Sequence, residues 1–197
     1  MKALILNSGM GTRMGDLTEN GPKCLVELED GTTILDRQLS ILKKCDIFNI
    51  IVTTGQYDKE IRYACSHHTD IRFTFVKNEL YETTNYIYSI HEARDHLDAD
   101  ILLLHGDLVF EEYAILRLIN SEKSCVLVNA LGSDSNKDFE ASIEDNRVSE
   151  IGLEVSGDAV PSQPAYKLIE SDMDVWMESI ARYCDAHERD CYAENAL

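Results

Sequence analysis

Lys2-Ala3-Leu4-Ile5-Leu6-Asn7-Ser8-Gly9-Met10-Gly11-Thr12-Arg13-Met14-Gly15, with Gly21-Pro22-Lys23 a short distance on, is the stretch that organises this chain. An apolar run opens into a loop holding three glycines, two hydroxyls and a guanidinium. Glycines let backbone N–H groups turn inward and approach an anion closely, and the Ser, Thr and Arg side chains add donors. Such a strand-and-loop unit reads as a phosphate cradle at the end of a parallel strand. Two look-alikes fail on spacing. A dinucleotide fingerprint needs its third glycine where Met14 stands and a helix opening at once. A P-loop ends in Gly-Lys-Ser/Thr, whereas Asp16-Leu17-Thr18-Glu19-Asn20-Gly21-Pro22 is turn chemistry.

What remains is Gly9-x-Gly11-x-Arg13, a polar loop, then Pro22-Lys23 followed by apolar Cys24-Leu25-Val26. This pattern resembles the signature of nucleotidyltransferases that join a nucleoside triphosphate to a phosphorylated sugar or alcohol. The alternative is a structural turn that happens to hold an Arg and a Lys.

Downstream the pattern alternates. A short strand is expected at Cys24–Leu28, then a capping box at Thr33-Ile34-Leu35-Asp36 and a helix carrying Leu35, Leu39 and Leu42, ending near Cys45-Asp46. Strands are expected at 48–55 and 71–76 around a helix at 57–65, then a polar loop at 77–84 and a helix at 85–93 with Ile87, Ile90 and Ala93 on one side. Asp100–His105 is the most apolar strand and belongs at the centre of the sheet. A helix at 111–120 and a strand at 125–130 continue the rhythm of a parallel α/β sheet. Strands at 139–143, 147–154 and 165–169 lack intervening helices, which predicts an antiparallel extension. Ser171-Asp172-Met173-Asp174 is expected to cap a final helix bearing Val175, Ile180, Ala181 and Cys184.

The 197 residues read as one domain, long enough for a full core. Six scattered cysteines lack Cys-x-x-Cys spacing and read as small buried thiols, and no histidine is assigned to metal. No stretch is long and apolar enough for a membrane span or signal peptide, so a cytoplasmic protein without membrane contact is expected. The net charge of −18 argues against a nucleic-acid partner. Residues 1–45 nevertheless carry six Lys/Arg against six Asp/Glu, so the acidity lies beyond the cradle. A homodimer is left open.

Ligands of open α/β sheets lie beyond the carboxyl ends of the strands, where both Ser8–Arg13 and Asp107 fall. A carboxylate facing bound phosphates calls for a cation between them, and Mg²⁺ is the usual bridge. Asp107 is therefore the candidate metal ligand, against the plain alternative of an Asp accepting backbone hydrogen bonds at a strand end. The chemistry these parts suit is in-line attack of a phosphate monoester on the α-phosphorus of a triphosphate, with pyrophosphate leaving. Arg13 and the amides of Gly9–Thr12 would hold the pyrophosphate, and Lys23 the α-phosphate and the incoming phosphate.

Asn78-Glu79-Leu80-Tyr81-Glu82-Thr83-Thr84-Asn85-Tyr86-Ile87-Tyr88-Ser89, His105-Gly106-Asp107 and Tyr192-Ala193-Glu194-Asn195 resemble corresponding segments of bacterial CTP:phosphocholine cytidylyltransferases of the choline-incorporation type. The resemblance implies a Rossmann-like three-layer α/β/α sandwich with a mixed, mainly parallel sheet of the nucleotidyltransferase/GT-A-like kind. It implies a Mg²⁺-dependent enzyme for CTP and phosphocholine, or a similar small phosphorylated alcohol or amine. Nucleotide contacts would come from Asn7, Ser8, Gly9, Met10, Gly11, Thr12, Tyr81, Thr84 and Asn85. Recognition of a quaternary ammonium needs aromatic faces and a carboxylate, for which Tyr81, Tyr86, Tyr88, Trp176, Tyr192 and Glu194 are available; Tyr88, Tyr192 and Glu194 are the substrate candidates. Family members continue into a strand with a Glu-Ile-Asp motif whose Asp is a second metal ligand. That motif is absent here, so the domain is expected to lack its last strand, with Glu194 or another acid substituting or activity impaired. The alternatives are a sugar-1-phosphate nucleotidyltransferase, a nucleotide-binding domain without turnover, and a glycosyltransferase using the Asp-x-Asp spacing of Asp172-Met173-Asp174.

Overall fold

The computed structural model describes residues 1–11, 21–129, 139–153, 155 and 159–197. Strand β1 (Lys2–Asn7) lies between β2 (Asn49–Thr54) and β4 (Ile101–His105), parallel to both, and β3 (Arg72–Lys77) extends the sheet parallel to β2. The continuous apolar character of β1 follows from its having two covered faces. Ala3 and Ile5 pack into one core with Leu35, Leu39 and Leu42 of α1 (Ile34–Lys44), Ile61 of α2 (Asp58–Cys65) and Ile115 and Leu118 of α4 (Glu112–Ile119). Leu4 and Leu6 pack into the other with Ile87 and Ile90 of α3 (Tyr86–Glu92) and Met173, Trp176 and Ile180 of α5 (Glu170–Asp185). The result is the expected three-layer α/β/α arrangement, with β4 at the centre of the path β3-β2-β1-β4-β8-β6-β7.

The second part of the sheet is antiparallel, as the loss of helices after 125 predicts. The C-terminal half of β8 (Ala159–Leu168) lies between β4 and β5 (Cys125–Val128), and its first residues pair with β6 (Glu140–Glu144), which forms a hairpin with β7 (Arg147–Gly152). β8 starts well before the expected residue 165. Pro161 and Pro164 break the donor pattern that marks a strand, yet the ladder tolerates them: the Asn129 N–H donates to the Pro161 carbonyl at 2.8 Å and the Ser162 N–H to the Phe139 carbonyl at 2.7 Å.

Three local expectations are corrected. Lys23–Leu25 forms a single 3₁₀ turn rather than a strand; the Leu25 and Val26 N–H groups bond back to the Pro22 and Lys23 carbonyls, and only a Glu27–Thr33 bridge is sheet-like. Burial of Cys24 in the core, rather than strand pairing, accounts for the apolar run. The final helix starts at Glu170 and has no side-chain cap, because its first donors are met from elsewhere: Glu170 N–H by the Asp100 carboxylate and Ile169 N–H by the Ser124 hydroxyl, each at 3.0 Å. Its buried face is Met173, Trp176, Ile180 and Cys184, while Val175 is 68% exposed. The capping box at Thr33 forms as read, Thr33 Oγ1 accepting from the Asp36 N–H at 3.0 Å and donating to its carboxylate at 2.7 Å. All six cysteines are free. Among the described residues no helix is long and apolar enough to cross a membrane.

Candidate functional site

A cavity of about 650 Å³ opens at the carboxyl ends of β1 and β4, within the range of small-ligand sites. One wall is the segment after β1, Ser8–Gly11, facing Tyr81, Thr84 and Asn85; the far wall is made by Phe139, Tyr166, Tyr192 and Glu194. Lys23, His105 and Asp107 lie between them on the lining. The cradle residues Asn7, Ser8, Gly9, Met10 and Gly11 all line this cavity, and Gly11 has the left-handed φ of +76° that favours glycine. Among the described residues a Cβ on Gly9 would meet nothing within 4 Å. Thr12 and Arg13 lie outside the described residues.

The opposing segment is tied to the cradle by a chain of small polar groups. Ser8 and Ser89 share a hydroxyl hydrogen bond at 2.6 Å, and Asn78 donates to Ser89 Oγ at 3.0 Å and Thr84 Oγ1 at 2.9 Å. The Asn78 carboxamide oxygen in turn accepts from the Leu80 N–H. Gly55 makes this approach possible: a Cβ there would come within 2.4 Å of the Ser8 carbonyl oxygen and 2.9 Å of Tyr81 Cβ. Asn85 caps α3, its side-chain oxygen accepting the Tyr86 N–H at 2.8 Å.

Lys23 and Asp107, chosen separately from sequence, meet in an ion pair of 2.7 Å. Burial pushes the Asp107 carboxyl up, but the hydrogen bond and charge of Lys23 outweigh it and hold the group below the ordinary carboxylate range. Gly106 packs against Asn7, whose Oδ1 would lie 1.6 Å from a Cβ at that position. His105 is pushed down, chiefly by burial, so its imidazole is neutral at neutral pH.

The far wall is organised by Glu194. This carboxylate is 6% exposed and accepts the hydroxyls of Tyr86, from α3, and Tyr166, from β8 at 2.7 Å. No described cation forms an ion pair with it, and the neighbouring His105 is neutral. Burial, and then the Glu194 charge, push both phenols upward, so they remain donors. Tyr192 tilts against Tyr86 at 5.8 Å and meets Phe139 edge-on at 5.0 Å. The indole N–H of Trp176 donates to the Ala193 carbonyl at 3.2 Å, pinning the segment that carries Glu194.

Of the residues singled out from sequence, the cavity thus gathers Asn7–Gly11, Lys23, Tyr81, Thr84, Asn85, Asp107, Tyr192 and Glu194. Tyr88 is not on its lining; it lies on α3 under the Arg189 guanidinium, 5.0 Å from its ring, and against His91. Trp176 is a buried anchor. Gly55, Asn78, Ser89 and Tyr166 were not singled out, because their roles depend on partners distant in sequence. Asp172 and Asp174 begin α5 and are absent from the lining. Among the described residues no group of three His, Cys, Asp or Glu side chains could hold a metal by itself.

Known proteins resemble this chain in sequence and in fold. The family model described as the MobA-like NTP transferase domain matches residues 3–135. The CTP:phosphoglutamine cytidylyltransferase of Campylobacter jejuni is 29% identical over 134 residues, 65% of this chain and 52% of that protein. The choline-phosphate cytidylyltransferase of Haemophilus influenzae is 34% identical over 109 residues, 52% of this chain and 45% of that protein. The chain therefore spans about half the length of these curated relatives. Among solved structures, the CTP:phosphocholine cytidylyltransferase of Streptococcus pneumoniae superposes with a TM-score of 0.76 at 22% identity, covering 99% of this chain and 82% of that one. The inositol-1-phosphate CTP transferase of T. maritima gives 0.81 at 18%, covering 100% and 79%.

Proposed function

This chain belongs to the MobA-like NTP transferase domain family, and on that premise we propose that it joins CTP to a small phosphate monoester bearing a positive charge, phosphocholine or a similar phosphorylated amino alcohol, releasing pyrophosphate. The observation that carries the cationic acceptor is Glu194. A buried carboxylate whose side-chain partners among the described residues are two neutral phenols, on a cavity walled by Tyr192 and Phe139, suits a cationic ligand, and aromatic faces beside it suit an ammonium head. The resemblance of 78–89 and 192–195 to CTP-using relatives supports the choice of nucleotide.

In this reading the acceptor spans the cavity with its cation at Glu194 and its phosphate at Lys23. Already an anion, that phosphate needs no general base: one of its oxygens bonds to the α-phosphorus in line, and the bond to pyrophosphate breaks with its electron pair on the leaving oxygen. Lys23 orients the attacking and α-phosphate groups, the amides of Gly9–Gly11 take the leaving phosphates, and the Ser8–Ser89–Asn78–Thr84 chain keeps the nucleotide wall in register. Mg²⁺ fits the residues present in one mode. Asp107 is the carboxylate that would hold it, phosphate oxygens and water would complete its coordination, and it would neutralise phosphate charge. In this reading Glu194, held by two tyrosines, serves the cation of the acceptor.

The test is pyrophosphate release with Mg²⁺, pairing CTP and UTP with phosphocholine, phosphoethanolamine and glucose-1-phosphate, and with Asp107→Ala as control. Release restricted to CTP and a cationic ester, and lost in the variant, is expected. Release with glucose-1-phosphate alone refutes the cationic acceptor.

A further inference from the structure

The contacts around Glu194 carry an inference that rests on the cationic acceptor proposed above and adds the means by which it is selected. Three elements far apart in sequence meet at this carboxylate: Tyr86 from the first turn of α3, Tyr166 from β8, and Glu194 from the C-terminal 3₁₀ turn (Ala193–Ala196). Each carboxylate oxygen takes one phenol, Oε2 that of Tyr86 and Oε1 that of Tyr166. Neutral donors hold a carboxylate in place without cancelling its charge, whereas a Lys or Arg would do both. Beside it lie aromatic rings, with Tyr192 between Tyr86 and Phe139, and a second acid, Asp190, is also on the cavity lining.

We propose that Tyr86 and Tyr166 are positioning residues that hold the Glu194 carboxylate in place on the cavity wall, so that the site selects its acceptor by the charge of the head group rather than by its shape. The hydroxyls, not the rings, carry this role. A phenol removed from one side leaves that oxygen without its anchor, and the carboxylate turns from the cavity or recruits another partner. The loss falls on the acceptor's charge. The nucleotide end, held by Ser8, Asn78 and Ser89, is left as it was.

The experiment uses two esters of the same shape, phosphocholine and its uncharged isostere 3,3-dimethylbutyl phosphate, with the full chain, CTP and Mg²⁺. The wild type is expected to favour phosphocholine through KM. Tyr86→Phe and Tyr166→Phe, one on a helix and one on a strand, each reduce that preference by roughly tenfold, the scale of one hydrogen bond to a charged group. The CTP Kd and the KM of the neutral ester stay unchanged, which a merely structural loss would not allow. Equal effects on both esters, or an undiminished preference in either folded variant, overturn the inference and leave the cationic acceptor standing. A wild type that does not distinguish the two esters overturns both. Should one variant fail to fold, the other decides by the same criteria, with competitive inhibition by tetramethylammonium as a second readout: inhibition as strong as in wild type overturns the inference, and inhibition weakened by about tenfold supports it.

Discussion

Replacing Lys23 by Met moves two affinities in opposite directions. In the ligand-free protein Lys23 Nζ is 2.7 Å from Asp107 Oδ2, with the two side chains 24% and 36% exposed, so the lysine occupies the carboxylate that a divalent cation would need. Two unit charges at that distance attract by ~1.5 kcal/mol in a water-like dielectric. Screening and the ordering of both side chains bring the net value of so exposed a pair to about 1 kcal/mol. Freeing Asp107 from this competitor tightens divalent-ion binding to the nucleotide-free protein by about fivefold. Loss of a charge-assisted hydrogen bond to phosphate, roughly 1.5–3 kcal/mol, weakens triphosphate binding by about ten- to a hundredfold. Mn²⁺ binding followed by water-proton relaxation gives the first quantity and calorimetry with CTP the second; Asp107→Asn in the same background should abolish the gain in metal affinity. Weaker Mn²⁺ binding in Lys23→Met, or a gain that survives Asp107→Asn, refutes the reasoning.

Other substitutions test the frame around the cavity. Gly55→Ala sets a methyl 2.4 Å from the Ser8 carbonyl, a backbone atom that cannot yield cheaply; overpacking of about 1–3 kcal/mol should appear as a lowered Tm together with weakened CTP binding, and unchanged nucleotide affinity would argue against the Ser8–Tyr81 contact. Trp176→Phe keeps the bulk but removes the N–H bonded to Ala193; a rise in acceptor KM with the CTP Kd unchanged is expected, and a uniform loss of both would assign Trp176 to the core alone. The Asp36 carboxyl is held below its ordinary value of 3.8: burial pushes it up, and the hydrogen bonds from His68 and Thr33 outweigh this. The unfolded chain therefore binds this proton more readily, so the stabilisation is present above pH 3.8 and is lost as the pH falls through the lower folded value. Thermal melts from pH 6 to 3 should show wild type and Asp36→Asn converging in acid, and a gap that widens there would contradict the pairing.

The apolar run 2–7, the glycine-bearing segment after it, the Thr33 capping box and the antiparallel change after 125 were legible because each is local: side-chain periodicity, a backbone conformation or a cap three residues away states its own requirement. Lys23 and Asp107 could be chosen as phosphate and metal groups from their settings, and Glu194 from its resemblance. Their arrangement was not legible. That Lys23 closes on Asp107, that Gly55 admits Tyr81 to the Ser8 carbonyl, and that Glu194 takes two phenols while Tyr88 turns to Arg189 depend on parallel strands and on α3, α5 and β8 meeting across the sheet. A sequence records which groups a chain carries and their local periodicity. Whether a buried carboxylate is met by a cation or by neutral hydroxyls is decided by packing between segments more than a hundred residues apart, as Tyr86 and Glu194 are, and that choice determines what charge the site has left to offer a ligand.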